Sequence, residues 1–346
     1  LATSGLPVVG VTMRLWADAD YERGEGGCCS LDAVEDARRV CARLGIPHYV
    51  INLRDQFERT VVGQFLEAYR EGRTPNPCVR CNETVKFADL YRRMSRVGAS
   101  HLATGHYAQV DRGGQTGVVL RRARDQRKDQ SYTLYRTPSE VLSRCLFPLG
   151  TLEKTRVREL AAALGLGVAA KPDSQELCFV GGGDHRELLA RELSGSFSEG
   201  PVVDQDGVLV GRHRGVPFYT VGQRHALGLA ARRPDAQPLY VYEVDRARNT
   251  LRVGPWSSLL RTGCRISRVV ALAPVPGRGW KPALAQLRAH AQPTPVSWRL
   301  FPGERAEVRF ATPQAAVSPG QSLVLYDGDQ VVAGGEIEVE SGEEFD

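Results

Sequence analysis

The sequence predicts an α/β protein: a doubly wound parallel sheet in its first half, followed beyond about Gly200 by an antiparallel β-barrel or sandwich. Three observations predict this. Strand-like and helix-like segments alternate as far as Gly105, as right-handed βαβ crossovers require. The first strand candidate, residues 7–13, is almost continuously apolar, as expected of a strand covered on both faces. Beyond Gly200 the segments become short and alternating, with Gly, Pro and Asp-Gly punctuation.

Taken in order, the strand at 7–13 precedes a helix at 32–44, whose Val34, Ala37, Val40, Cys41 and Leu44 recur at helical spacing. Asp32 with Glu35 three residues on has the form of a capping box, and Gly45 supplies a stop. A strand at 49–53 and a helix at 55–69 follow, the helix with Phe57, Val61, Phe65, Leu66 and Tyr69 on one stripe before Gly72. Val85, Phe87, Leu90 and Met94 mark a further helix ending before Gly98, and the strand at 101–104 runs into Gly105-His106. Met13 and Gly105 thus fall at carboxyl ends of strands, where doubly wound sheets bind ligands. Short helices are expected across 138–164, the second opening at Leu152-Glu153-Lys154. Strands are expected at 239–244, 250–253, 306–310 and 323–326, the last before Asp327-Gly328, and the acidic tail 336–346 is expected to fray.

A chain of 346 residues exceeds one ordinary core and implies two or three domains. With 42% hydrophobic and 25% charged residues it is neither disordered nor fibrous. No apolar run approaches the ~18 residues that span a bilayer, and residues 1–13 lack the features of a signal peptide. The expectation is a soluble cytoplasmic protein with no membrane partner. Eight cysteines are too dilute for a disulfide scaffold. Cys41, Cys145 and Cys264 lie in apolar patterns and read as packing residues, while Cys28-Cys29 reads as part of a loop. The formal charge of +5 is a mild basic bias, but Arg121, Arg122, Arg124, Arg127 and Lys128 are close enough for a phosphate-facing stripe if they share a face.

The chemistry concentrates in Thr74-Pro75-Asn76-Pro77-Cys78-Val79-Arg80-Cys81-Asn82, where two prolines precede two thiols. A structural zinc site would want a second ligand pair at suitable spacing, and none follows. A redox pair or catalytic thiols remain, and a helix N-terminus together with Arg80 would favour thiolate. Cys178, in Asp173-Ser174-Gln175-Glu176-Leu177-Cys178-Phe179, lies at a similar polar-to-apolar junction. In Ala103-Thr104-Gly105-His106-Tyr107-Ala108, Gly105 would let backbone approach a ligand and His106 could donate to a phosphate or base, or the pair could be a turn with a surface histidine. Lys128-Asp129-Gln130 combines a cation, an acid and an amide able to read base edges.

Together with Gly10-Val11-Thr12-Met13, Tyr219-Thr220-Val221-Gly222-Gln223-Arg224, Leu227-Gly228-Leu229 and Ser318-Pro319-Gly320-Gln321, these motifs resemble the bacterial tRNA-specific 2-thiouridylase (tRNA-uridine 2-sulfurtransferase) family, in family order through almost the whole chain. The resemblance implies a PP-loop-type ATP pyrophosphatase domain over 1–152, a central tRNA-binding domain carrying Cys178 over 153–215, and a C-terminal antiparallel β-barrel over 216–346. It implies ATP with Mg2+ as cofactor, tRNA with uridine at position 34 as substrate, and a cysteine desulfurase or relay protein as sulfur donor. Met13 and Gly105 would touch the nucleotide, and Asn76, Pro77 and Cys78 the target uracil. Cys81 would be the nucleophile and Cys178 the persulfide carrier, the two closing a disulfide in turnover. His106, Lys128, Asp129, Gln130, Arg288, His290 and Gln321 would contact tRNA.

Two departures from the family pattern carry alternatives. The Ser-Gly-Gly-Val-Asp-Ser-type pyrophosphate loop is missing from the sequence, with Leu1 expected inside the helix that should follow it. This implies either a sequence that starts late or a chain that uses ATP poorly, the latter being a non-catalytic tRNA-binding or sulfur-relay protein. Position 78 is Cys where some members carry Asp, so Cys78, Cys81 and Cys178 could instead hold a [4Fe–4S] cluster with one open iron.

Overall fold

The computed structural model describes residues 1–15, 31–114, 117–170, 177–180, 184–229, 237–275, 277 and 279–338. Cys28-Cys29, Asp173 to Glu176 and the last eight residues lie outside the described residues. Strand β1 (Gly10–Arg14), helix α1 (Leu31–Leu44) and strand β2 (His48–Asn52) open the chain. Asp32 sits inside the first turn of α1 rather than at its cap, because the helix already begins at Leu31. Gly45 does close α1, at φ +66°, with the Ile46 N–H donating back to the Cys41 carbonyl.

The apolar stripe expected at 55–69 forms one run of helix: α2 (Arg54–Phe57), a π-helical segment (Glu58–Val62) and α3 (Gly63–Arg70). It is followed by α4 (Pro77–Cys81), a second π-helical segment (Asn82–Asp89) and α5 (Leu90–Ser95). Then come β3 (Leu102–Ala103), the hairpin strands β4 (Ala108–Gly114) and β5 (Gly117–Arg122), α6 (Ser139–Leu142), β6 (Cys145–Leu146), α7 (Lys154–Ala163) and α8 (His185–Glu192). Two parallel pairs belong to this half: β1 with β2, in register Met13↔Ile51, and β3 with β6.

Beyond Gly200 the strands divide between two sheets. Strands β7 (Gly200–Val203), β8 (Leu209–His213), β9 (Tyr240–Asp245) and β10 (Thr250–Gly254) form one, in the order β8-β7-β10-β9, with β7 and β10 parallel. The rest are β11 (Leu260–Ala271), β12 (Lys281–Gln286), β13 (Thr294–Phe301), β14 (Arg305–Ala315), β15 (Ser322–Asp327) and β16 (Gln330–Glu338). Their order β11-β14-β13-β12-β15-β16 closes on itself through β11–β16 pairing, making a six-stranded antiparallel barrel. Ile266, Trp298, Val308, Leu325 and Ala333 are in its core. Closure removes the free edges that an open sheet would leave.

The barrel is not a separate appendage. The β4–β5 hairpin joins its sheet at β16, where Gln330 pairs with Arg121. A core of Val79, Phe87, Tyr132 and Tyr135 with Val324, Tyr326 and Val331 fills the space between the α/β part and the barrel. Each such side chain contributes about 1.5–3 kcal/mol on burial, provided its polar end is satisfied. Tyr132 donates to the Ser322 carbonyl at 2.8 Å and Tyr135 to the Ser322 hydroxyl at 3.3 Å.

Candidate functional site

The cysteine loop is built by its own sequence and held by the rest of the chain. Asn76 caps α4, its Oδ1 accepting the Val79 N–H at 3.3 Å, and Pro77 takes the first helical position, where its missing N–H costs nothing. Cys78 is then exposed, while Cys81 is buried. Asn82 locks the helix from below, donating from Nδ2 to the Thr133 carbonyl at 3.0 Å and to its hydroxyl at 3.1 Å.

Upstream, Gln321 donates its side-chain amide to the carbonyls of Thr74 at 2.9 Å and Pro75 at 3.4 Å. The Thr74 N–H donates to Pro319 O at 2.8 Å, and the Thr74 hydroxyl to Thr220 at 3.1 Å. Gly320 makes this approach possible: it sits at φ +86°, and a Cβ there would come within 2.9 Å of Arg73 Cβ and 3.0 Å of Thr74 N. Ser318-Pro319-Gly320-Gln321 is therefore a clamp from the barrel onto the cysteine loop. Thr220 adds a second anchor from the segment ahead of β9, and Ser318 Oγ donates in turn to the Val221 carbonyl at 3.3 Å.

Cys178 reaches the same region. Its neighbour Phe179 is buried, edge-on to Phe57 at 5.7 Å and to Phe65 at 5.1 Å between ring centroids. Cys178 itself is half-buried against the core cluster that contains Cys81, and Met13 packs against that cluster too. Sites nearly a hundred residues apart in sequence are thus gathered around one apolar centre.

Gly105 is exposed at the carboxyl end of β3, as Met13 is placed near that of β1. The His106 ring lies 5.5 Å from Phe87 and 6.0 Å from Phe147, with Nδ1 2.8 Å from the Thr104 hydroxyl. Burial first, and the nearby Lys86 second, push its pKa down to about 3. It is a neutral imidazole at pH 7, able to exchange hydrogen bonds but not to supply charge. Gln130 ties this segment down: its Oε1 accepts the Tyr107 N–H at 3.0 Å.

Asp129 is turned inward. It accepts from Ala123 N at 2.8 Å, Ser131 Oγ at 2.9 Å and Arg122 Nε at 3.1 Å. Lys128 beside it is half-buried. The basic stripe is partly consumed in the same way, since Arg121 pairs with Asp111 and Asp329 at 2.5 and 2.7 Å. Carboxylates arriving from β4 and from the turn before β16 were not visible in the local pattern. Arg288 and His290 are exposed in the turn after β12.

Among the described residues all six cysteines are thiols, and Cys145 is pushed up to about 12 by burial. Among them also, no three His, Cys, Asp or Glu side chains converge on a point that could hold a metal ion. The thiols of the cluster alternative, Cys78, Cys81 and Cys178, are not gathered as a ligand set, and no step is assigned to a cluster. No helix of the described residues is long and apolar enough to cross a membrane.

A cleft of about 200 Å3 opens beside Asn76 and Pro77, lined also by Arg73, Arg80, Arg136 and Arg268. Of these four, sequence reasoning named only Arg80; Arg73 lies just ahead of the cysteine motif and was not singled out. Arg136 follows the Lys128–Tyr135 run without a motif of its own, and Arg268 reaches the cleft only through a break in strand regularity.

Three family models cover the chain: the tRNA methyl transferase HUP domain over residues 1–182, the tRNA methyl transferase PRC-barrel domain over 186–255, and the aminomethyltransferase beta-barrel domain over 261–337. The tRNA-specific 2-thiouridylase MnmA of Roseiflexus castenholzii is 45% identical over 97% of this chain and 94% of its own length. Those of Heliobacterium modesticaldum (45% identical, 97% and 87%) and Clostridioides difficile (40% identical, 98% and 93%) are similar over comparable spans.

Proposed function

Because the chain belongs to the tRNA-specific 2-thiouridylase family, we propose that it is a sulfurtransferase that forms 2-thiouridine at the wobble position of tRNA, with Cys178 carrying the sulfur and Cys81 releasing it. The observation that carries this reading is the packing of Cys81 and Cys178 against one core cluster, reached from opposite directions in sequence.

The uracil C2 oxygen is a very poor leaving group, so it attacks the α-phosphorus of ATP, pyrophosphate leaves, and the adenylylated oxygen can later depart as AMP. Met13 and Gly105, at the strand ends, are the residues of this chain that would face the nucleotide, and the exposed Gly105 backbone fits that role. Mg2+ would accompany the nucleotide's phosphates. The terminal sulfur of a Cys178 persulfide attacks C2; the C2–O bond breaks and AMP leaves, with the base joined to Cys178 through a disulfide. The Cys81 thiolate then attacks Cys178 Sγ. The electron pair of the broken S–S bond goes to the base sulfur, which becomes the thiocarbonyl, and a Cys81–Cys178 disulfide remains for an external thiol to reduce. A sulfur-donor protein reloads Cys178.

The wobble base must leave its stack to be attacked, at a cost of only a few kcal/mol in a single-stranded loop. Asn76, Pro77 and the exposed Cys78 are proposed to receive it. His106, Lys128, Gln130, Arg288, His290 and Gln321 are proposed to face the RNA. Asp129, whose carboxylate is buried and bonded within the protein, would act on the RNA only indirectly, and Gln321 would do so while holding the Thr74 and Pro75 carbonyls. The test is Cys178→Ser in a cell that lacks any other source of the modification: 2-thiouridine should vanish from its tRNA. Unchanged thiolation would refute the assignment.

A further inference from the structure

The arginine cleft is absorbed neither by the thiol chemistry nor by the nucleotide edge, since neither Met13 nor Gly105 lines it. Its lining joins apolar Val61, Phe65 and Val79 to a charged rim of four arginines with Glu67, Glu71 and Glu336. Glu83 is shared by Arg80 at 2.7 Å and Arg136 at 3.0 Å. Glu336 is shared by Arg268, in close contact, and Arg73 at 3.8 Å, while Glu71 pairs with Arg73. Glu67, also on the rim, is neutralised by Arg70 at 3.2 Å. Four guanidiniums therefore face three carboxylates, leaving one positive charge unmatched.

The placement of Arg268 is specific. The β11–β16 register slips between Ser267 and Val270, and Arg268 within that bulge has a left-handed φ of +51°. A non-glycine residue in that region costs of order 1–3 kcal/mol and persists only where its surroundings hold it there. Bulges of this kind re-aim a side chain. Here the backbone is held by Arg136, which donates to the Arg268 carbonyl at 2.9 Å. The Arg268 guanidinium is disfavoured first by burial and then by Arg136, Arg73 and Arg80, so an anion in the cleft would relieve a repulsion already built in.

We propose that this cleft is a subsite for one backbone phosphodiester of the bound RNA, adjacent to the nucleotide being thiolated, gripped by Arg73, Arg136 and Arg268. It rests on the reading that tRNA is the substrate. The single unmatched charge suits a phosphodiester monoanion better than the multiple charge of a nucleotide's pyrophosphate, and planar guanidiniums suit phosphate oxygens. Contact with Asn76 and Pro77 puts the phosphate beside the loop proposed to receive the base.

The test uses the full chain and an unmodified tRNA transcript bearing U34, with dissociation constants measured from 50 to 200 mM salt. Arg268→Gln and Arg136→Gln should each weaken binding about tenfold at 0.1 M salt and flatten the log–log salt slope by about 0.7 to 0.9. Glu336→Gln should tighten binding, because it adds a net positive charge to the cleft. A purely structural cluster would give weaker binding in all three. ATP affinity should not change in any of them. Equal RNA affinity and slope in the Arg variants, weaker binding in Glu336→Gln, or a loss confined to ATP would each overturn the proposal. If the wild-type protein fails to bind the transcript, both this proposal and the functional reading fall; if it binds and the variants match it, only this proposal does.

Discussion

Gly320→Ala should cripple the enzyme by moving a loop that the substituted residue does not belong to. An alanine at φ +86° costs roughly 1–2 kcal/mol of backbone strain. Its Cβ would also come to 2.9 Å from Arg73 Cβ and 3.0 Å from Thr74 N, contacts that have to open. Overpacking of this kind costs roughly 1–3 kcal/mol, for a total of about 2–5 kcal/mol. If the 73–75 segment gives way, the Gln321 bonds to Thr74 and Pro75 are lost with it. A displacement of about an ångström in a reacting group can cost on the order of a hundredfold in rate. Gly328→Ala is the control: it sits at φ +59° with nothing within 4 Å of the added atom, so it carries the strain without the clash. The assay is 2-thiouridine formation per turnover, run well below the unfolding temperature of both variants. The expected result is a large loss of rate in Gly320→Ala and near-normal rate in Gly328→Ala. Equal rates in the two would refute the clamp.

Three further outcomes follow. Burial holds His106 to a pKa of about 3 against about 6.5 when unfolded, so between those values the unfolded chain binds a proton that the folded one does not. Stability should therefore fall as pH drops through that window, by at most about 5 kcal/mol given the ring's partial exposure, and His106→Gln should flatten the low-pH limb of a denaturant-midpoint-versus-pH curve; an unchanged limb would count against it. Phe179→Ala removes both ring contacts and should cost roughly 3–5 kcal/mol, locally or globally; the readout is faster alkylation of Cys178, with Phe179→Leu restoring part of the protection, and unchanged labelling would sink the anchor. Asp129→Ala strands the Arg122 guanidinium and should lower stability by about 3–5 kcal/mol; a denaturation midpoint equal to that of the wild type would show the carboxylate is not an internal strut.

What was legible in the sequence was local. The stripe from Phe57 to Tyr69 announces its helix because burial repeats at the helical period, and Gly45 and Gly72 end helices because they reach positive φ without strain. The two π-helical segments left no such mark, since their apolar residues satisfy an ordinary helical spacing. The thiols stood out by type and spacing, but the packing of Phe179 on Phe57 and Phe65, which brings Cys178 against the core cluster that holds Cys81, left no mark in the sequence. The neutralisation of Arg121 within the basic stretch was not legible, because Asp111 and Asp329 come from a neighbouring strand and from the far end of the chain. Gln321 was visible as part of a motif, but its grip on Thr74 was not, because registry between distant segments is set by packing rather than by composition.

The clamp also bears on the order of events as the chain is made. Synthesis runs from the amino end at ~5–20 residues per second, so the thiols at 78 and 81 emerge more than 200 residues ahead of the Gly320-Gln321 turn that fixes them. The hairpin at Arg121 likewise waits for Gln330 before its edge is covered. Through that interval of ten seconds or more, the reactive loop exists without its geometry, and the nascent chain holds thiols with no organised site around them. Competence arrives late and at once, with the last strands of the barrel, so a ribosome that stalls before the barrel is complete releases a thiol-bearing fragment rather than a partly active enzyme.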